Sequence, residues 1–262
     1  MSILGASAAT IGDSLDAEVG YFLLQTGQRR HKKDGEVQRL WAECEKLARA
    51  DAPLAMALKA ALCVTVGDYD EALYYVRNIK LNHSPLHDST LATVLINFGY
   101  FSESLEVYRQ LLSVRELVQD EYFHLGVANG AYSTYIEALE AYRKNMSLSS
   151  FFPAMEDEVR AAAAILEENG ESEQLIARAM DVAGEVLRDR SLLFYGLHHK
   201  VRAVPHPRDG GPPYFRVDIG VQVDDDTAFD MTCEYADRLA QSSATIPVSM
   251  VLKFSGRSES HA

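Results

Sequence analysis

The side chains able to hold a metal or move a proton gather near the C-terminal end of the chain. His198 and His199 are adjacent in a stretch that alternates apolar and polar residues, and His206 follows in a proline-rich loop. Imidazoles can exchange protons near neutral pH or ligate metals. Neighbours on a strand point to opposite faces, however, so this pair does not grip one ion. Asp224-Asp225-Asp226 offers three carboxylates. A calcium loop spaces its oxygen ligands around a turn glycine. Consecutive aspartates before Thr227 instead fit a helix start, with Asp225 or Asp226 as the cap. An enzyme built on this part would draw on His198, His199, Arg216 and Asp224.

Other reactive groups are scattered. Cys44, Cys63 and Cys233 are too far apart for a metal knuckle or a disulfide framework, and they stand at apolar helical positions. His83 and His87 flank Pro85 and read as solvated turn residues. The chain has no phosphate-binding glycine loop, no His-Glu-x-x-His, no Cys-x-x-Cys and no Gly-x-Ser-x-Gly. No catalytic residue, no metal and no cofactor is predicted.

The elements that must position these groups fall into two kinds. Up to about residue 190 apolar residues recur at intervals of three and four, the mark of helices. Segments such as Leu54 to Val66 are apolar nearly all round and must pack on two neighbours. A period is visible: Gly67-Asp-Tyr69-Asp-Glu-Ala72 is followed by Gly99-Tyr-Phe101-Ser-Glu-Ser104. The glycine ends one helix in a left-handed cap. An aromatic two residues on fills the angle between helices, and a small residue five on lets the second helix approach. A third copy is Leu125-Gly126 with Tyr135, Ala138 and Tyr142; weaker ones lie at Gly35 to Leu40 and Gly170 to Ser172. On these residues the chain resembles the tetratricopeptide repeat (TPR) family, whose helical hairpins recur at about 34 residues.

Beyond Arg190 the period changes to two. Leu193 to Ala203, Phe215 to Val223 and Ile246 to Phe254 alternate apolar with other residues, as strands with one apolar face do. Ala228, Met231, Tyr235 and Leu239 between the last two have helical spacing. The order is β-β-α-β, and a strand–helix–strand crossing favours parallel pairing. The expected fold is mainly α: a TPR-like helical-hairpin array over 1–190, then a small β-β-α-β domain over 191–262. Pro205 to Pro213 is predicted to be an exposed, irregular loop, and the residues from Ser255 a frayed tail.

Charge limits the partners. The chain of 262 residues carries a net charge of −13, of which residues 191–262, with seven basic and nine acidic groups, hold only a small part. Such a field disfavours nucleic acid and acidic membrane surfaces and favours a basic polypeptide. The one basic run, Arg29 to Lys33, reads as a solvated turn or a local contact with an acidic patch. A start without basic residues, and the want of a long apolar stretch, predict a cytoplasmic protein that does not enter a membrane.

The TPR resemblance implies a concave groove lined by the first helix of each hairpin. Its candidate partner-binding residues are Thr93, Asn97, Asp120, Phe123 and Val127. Most are small, apolar or neutral, which suits an apolar segment of a partner or this chain's own C-terminal part. The expected function is a non-enzymatic protein-binding module or adaptor. Its acidity fits an immunity protein or antitoxin that neutralises a basic toxin. A secretion chaperone, an assembly scaffold, and an enzyme or ligand sensor using the C-terminal domain are the alternatives. A homodimer through the open edge of the C-terminal sheet is a further expectation.

Overall fold

The computed structural model describes residues 8–25, 29–79, 85–113, 126–145, 153–194, 199–205, 207, 210–242 and 245–257. The helices are α1 (Ala8–Gln25), α2 (Gly35–Leu47), α3 (Ala52–Val66), α4 (Tyr69–Asn78), α5 (Pro85–Asn97), α6 (Phe101–Ser113), α7 (Tyr132–Asn145), α8 (Pro153–Asn169) and α9 (Glu173–Asp189). Then come β1 (His199–Val204), β2 (Tyr214–Val221), α10 (Asp225–Gln241) and β3 (Met250–Gly256). The protein is mainly helical with a small C-terminal three-stranded sheet, in the expected β-β-α-β order.

Local chemistry sets the hairpins. Asp51 accepts a bond of 3.0 Å from the Leu54 amide and starts α3. Gly67 ends it in the left-handed region at φ 76, and Asp68 caps α4 at once by accepting from the Glu71 amide. Gly99 (φ 74) makes the same turn between α5 and α6. The aromatic after each glycine fills the seam between hairpins: Tyr69 stacks on Tyr100 at 4.9 Å and meets the edge of Phe98 at 5.0 Å. Ala72 and Ser104 are fully buried where the second helices approach closest, and the Ser104 hydroxyl donates to the Ala92 carbonyl at 3.0 Å. A third left-handed turn glycine is Gly130 (φ 77), and Gly126 sits against the Tyr108 ring with no room for a side chain. The basic run docks on the α3–α4 turn, where Lys32 bridges Asp68 at 2.6 Å and Glu71 at 2.9 Å.

The sheet has the order β1-β2-β3, with β1–β2 antiparallel and β2–β3 parallel, as the helical crossing predicted. Its strands are shorter than the alternation. Leu193 and Phe194 are consecutive yet both buried, because the segment after α9 lies on the helices: Leu193 joins Val64, Val94 and Phe98, and Phe194 meets Phe101 edge-on at 4.8 Å. Ile246 and Val248, expected on the apolar face of the third strand, are instead 50% and 65% exposed. Glu171 accepts the amides of Val248 (2.6 Å) and Ser249 (3.1 Å) and holds the chain there before β3 begins. The capping aspartate of α10 is Asp224, one residue before the expected pair.

One core runs without a break from Ile96, Tyr108 and Tyr132 among the helices to Phe215, Val217 and Phe254 in the sheet. α8 packs on β1 and β2, α10 packs on β3, and α9 packs on both α6 and α10. The helices thus act as the platform on which the sheet is mounted.

Candidate protein-binding face

Alternation and register divide the sheet into two faces. His199, Ile219 and Phe254 lie in one row, Val201, Val217 and Leu252 in the next, and Ala203, Phe215 and Met250 in a third. This face is buried or half-buried against α8 and α10. The rows between point the other way. Lys200, Asp218 and Lys253 form one, and Arg202, Arg216 and Val251 the other. Lys200, Arg202 and Val251 are exposed, and Arg216, Asp218 and Lys253 are only half-buried.

Four cations therefore surround one carboxylate on this bare face. Nε and Nη2 of Arg216 each lie 2.9 Å from Oδ2 of Asp218, and Lys253 Nζ lies 3.3 Å from Oδ1. Asp218 is thus matched within its own face. Lys200 and Arg202 make no ion pair among the described residues. Val251 stands 48% exposed beside the two arginines, and Tyr214 is half-buried at the start of β2 on the same face. A patch of positive charge, with an exposed valine on its outer strand, stands in a chain of net charge −13.

Side chains bond to both outer strands of the sheet. The Ala203 amide donates to Glu158 of α8 at 2.6 Å. The Phe254 amide donates to the Thr232 hydroxyl of α10 at 3.0 Å. With Glu171 holding Val248 and Ser249, side chains occupy edge groups on both outer strands. A second copy pairing edge to edge would have to displace these bonds.

The expected groove residues are placed differently. Asn97 is 9% exposed; its side-chain amide donates to the Thr93 carbonyl at 2.8 Å, and its own carbonyl accepts from the Phe194 amide at 3.1 Å. Val127 is 4% exposed within the core, and Thr93 is half-buried. Asp120 and Phe123 lie outside the described residues. The chain's own Leu192 to Phe194 segment thus occupies the surface next to Asn97.

The residues named for catalysis do not converge. His199 is buried on the core face beside Phe194, with ring centroids 5.7 Å apart, and neither ring nitrogen has a hydrogen-bond partner among the described residues. Burial lowers its pKa to about 4. Arg216 is on the opposite face. Asp224 accepts from the Thr227 amide at 2.7 Å, and that bond holds its pKa below the usual carboxylate range. His198 and His206 lie outside the described residues. His87, expected in solvent, is half-buried with Nδ1 2.8 Å from Asp88. Among the described residues no three His, Cys, Asp or Glu side chains gather as a metal site. A cleft of about 530 Å³ lies between α8 and the proline loop, lined by Ala161, Ala164, Ile165, Glu168, Pro205 and Pro213 among others. Among its described lining residues Glu168 is the one ionisable group.

No described helix is long and apolar enough to cross a membrane. No protein-family model, curated protein or solved structure matches this chain. The bare face was open to sequence reasoning in one respect: the polar half of the alternation is basic at Lys200, Arg202, Arg216 and Lys253. Its pooling onto one surface depends on the register, which the sequence does not state.

Proposed function

We propose that the protein is a non-enzymatic polypeptide-binding adaptor. Its TPR-like helical array is the scaffold, and the bare face of its sheet is the contact surface. One observation carries this reading. Among the described residues the sheet is packed by helices on one face and bonded by side chains at points on both outer strands, while its other face is uncovered, with four cations and an exposed valine upon it. Unmatched charge beside an accessible apolar side chain is suited to holding another chain of complementary charge. The test is a complex reconstituted from purified full-length protein and a partner first captured from the native host. Saturable binding that leaves the partner chemically unchanged supports the adaptor. A partner that is cleaved or modified, or a failure to retain any polypeptide, would sink it.

A second reading rests on the negative charge concentrated in residues 1–190. It supports capture of a basic partner on the helices, as an immunity protein or antitoxin captures a nuclease toxin. Electrostatic steering would then make association fall steeply with salt. An association rate with the basic partner that does not change with salt would exclude this reading.

A further inference from the structure

We infer that the bare face of the sheet docks an extended acidic segment of a partner polypeptide, with carboxylates at alternate residues. The inference rests on the adaptor reading and gives its partner a chemistry. Lys200 and Arg202 are exposed with no anionic partner among the described residues, and Arg216 and Lys253 share the single carboxylate of Asp218. The face therefore has positive charge left unmatched, and complementarity calls for anions. Geometry selects their arrangement. The two basic rows are two residues apart along each strand, about 7 Å. Carboxylates at alternate positions of an extended chain have the same spacing of about 7 Å. Val251, 48% exposed in the row of arginines, adds an apolar contact for the same segment.

The alternative polyanion is a single-stranded nucleic acid. It needs aromatic side chains on which successive bases stack. Among the described residues the face offers Tyr214 alone, half-buried at its end. The net charge of −13 also repels a long phosphate backbone more than a short acidic segment. Both points favour the polypeptide.

Fluorescence anisotropy of the full-length protein against labelled probes tests this. The probes are a peptide of about ten residues alternating Glu and Val, the same peptide with Gln for Glu, and a single-stranded oligonucleotide of similar length. The Glu peptide should bind, and the Gln peptide should bind at least about tenfold more weakly. Lys200→Glu/Arg202→Glu should abolish binding. Lys33→Glu/Arg49→Glu makes the same change in net charge at exposed turns on either side of α2 and should leave binding unchanged. Because all four side chains are exposed, matching melting curves would show that the variants stay folded. Equal binding of both peptides, equal loss in both double variants, or no binding of the Glu peptide would overturn the inference. So would an oligonucleotide that binds more tightly and is released by Lys200→Glu/Arg202→Glu. If a captured partner still covers Lys200 and Lys253 while the Glu peptide fails, the adaptor reading stands and the acidic segment falls.

Discussion

His199 sets a pH dependence that a single substitution isolates. Its imidazole is buried on the core face, with neither nitrogen partnered among the described residues, and burial lowers its pKa from 6.5 to about 4. Between those values the unfolded chain takes up a proton that the folded chain refuses. The contribution is therefore neutral above pH 6.5 and turns against folding as the pH falls toward 4, by about 1.4 kcal/mol per pH unit. Urea unfolding of wild type and His199→Leu across that interval should show a shallower decline in the variant; parallel curves would contradict it. The thiols make a second test. Cys44 and Cys63 are buried, which raises both pKa values, that of Cys44 to about 11, while Cys233 is exposed. A thiol reagent should label one cysteine quickly in native protein and the others only on unfolding. The sequence placed all three cysteines at apolar positions. Cys233 departs because α10 buries only the stripe Ala228, Met231, Tyr235 and Leu239.

At the scale of elements, the hairpins follow from local signals and the crossing of distant helices does not. Capping aspartates and left-handed glycines mark α3 and α4 in the sequence, and period two marks β2 without ambiguity. Nothing local announces that α9 crosses the α5–α6 turn with Gly184 against Gly99, backbone to backbone. Arg188, one turn on, donates to the carbonyls of Phe98 (2.7 Å) and Gly99 (2.9 Å) and lies over the Tyr100 ring at 4.3 Å. A methyl at position 184 has no space, so Gly184→Ala should lower stability by about 1–3 kcal/mol despite the better helix propensity of alanine. Thermal melting checks the sign: a rise in Tm would mean that the two backbones are not in contact. Asp224→Ala removes the cap of α10 and should cost about 1 kcal/mol.

For the whole molecule, the sequence divides the chain near Arg190, whereas the packing joins the parts. Leu192 to Phe194 lies on the helices, and the core from Tyr108 to Phe254 is continuous. The change of period marks where strands begin, but which apolar surfaces meet is decided in three dimensions. Phe194→Ala empties a fully buried site at this junction and should cost about 3–5 kcal/mol. Signals from the helices and from the sheet should fall together in one denaturant transition, and separate midpoints would show that the parts unfold independently.

Hairpin repeats imply a groove, yet Asn97 and Val127 are buried and the chain's own segment sits beside Asn97. The contact surface we propose is instead the basic sheet face. Lysine footprinting of the full-length protein, free and in complex with its captured partner, tests that placement most directly. Lys200 and Lys253 are on the sheet face, while Lys33 and Lys46 are exposed on the helical part. Complex formation should shield Lys200 and Lys253 from amine labelling and leave Lys33 and Lys46 reactive. Shielding of Lys33 and Lys46 with Lys200 and Lys253 still labelled would show that the partner binds elsewhere.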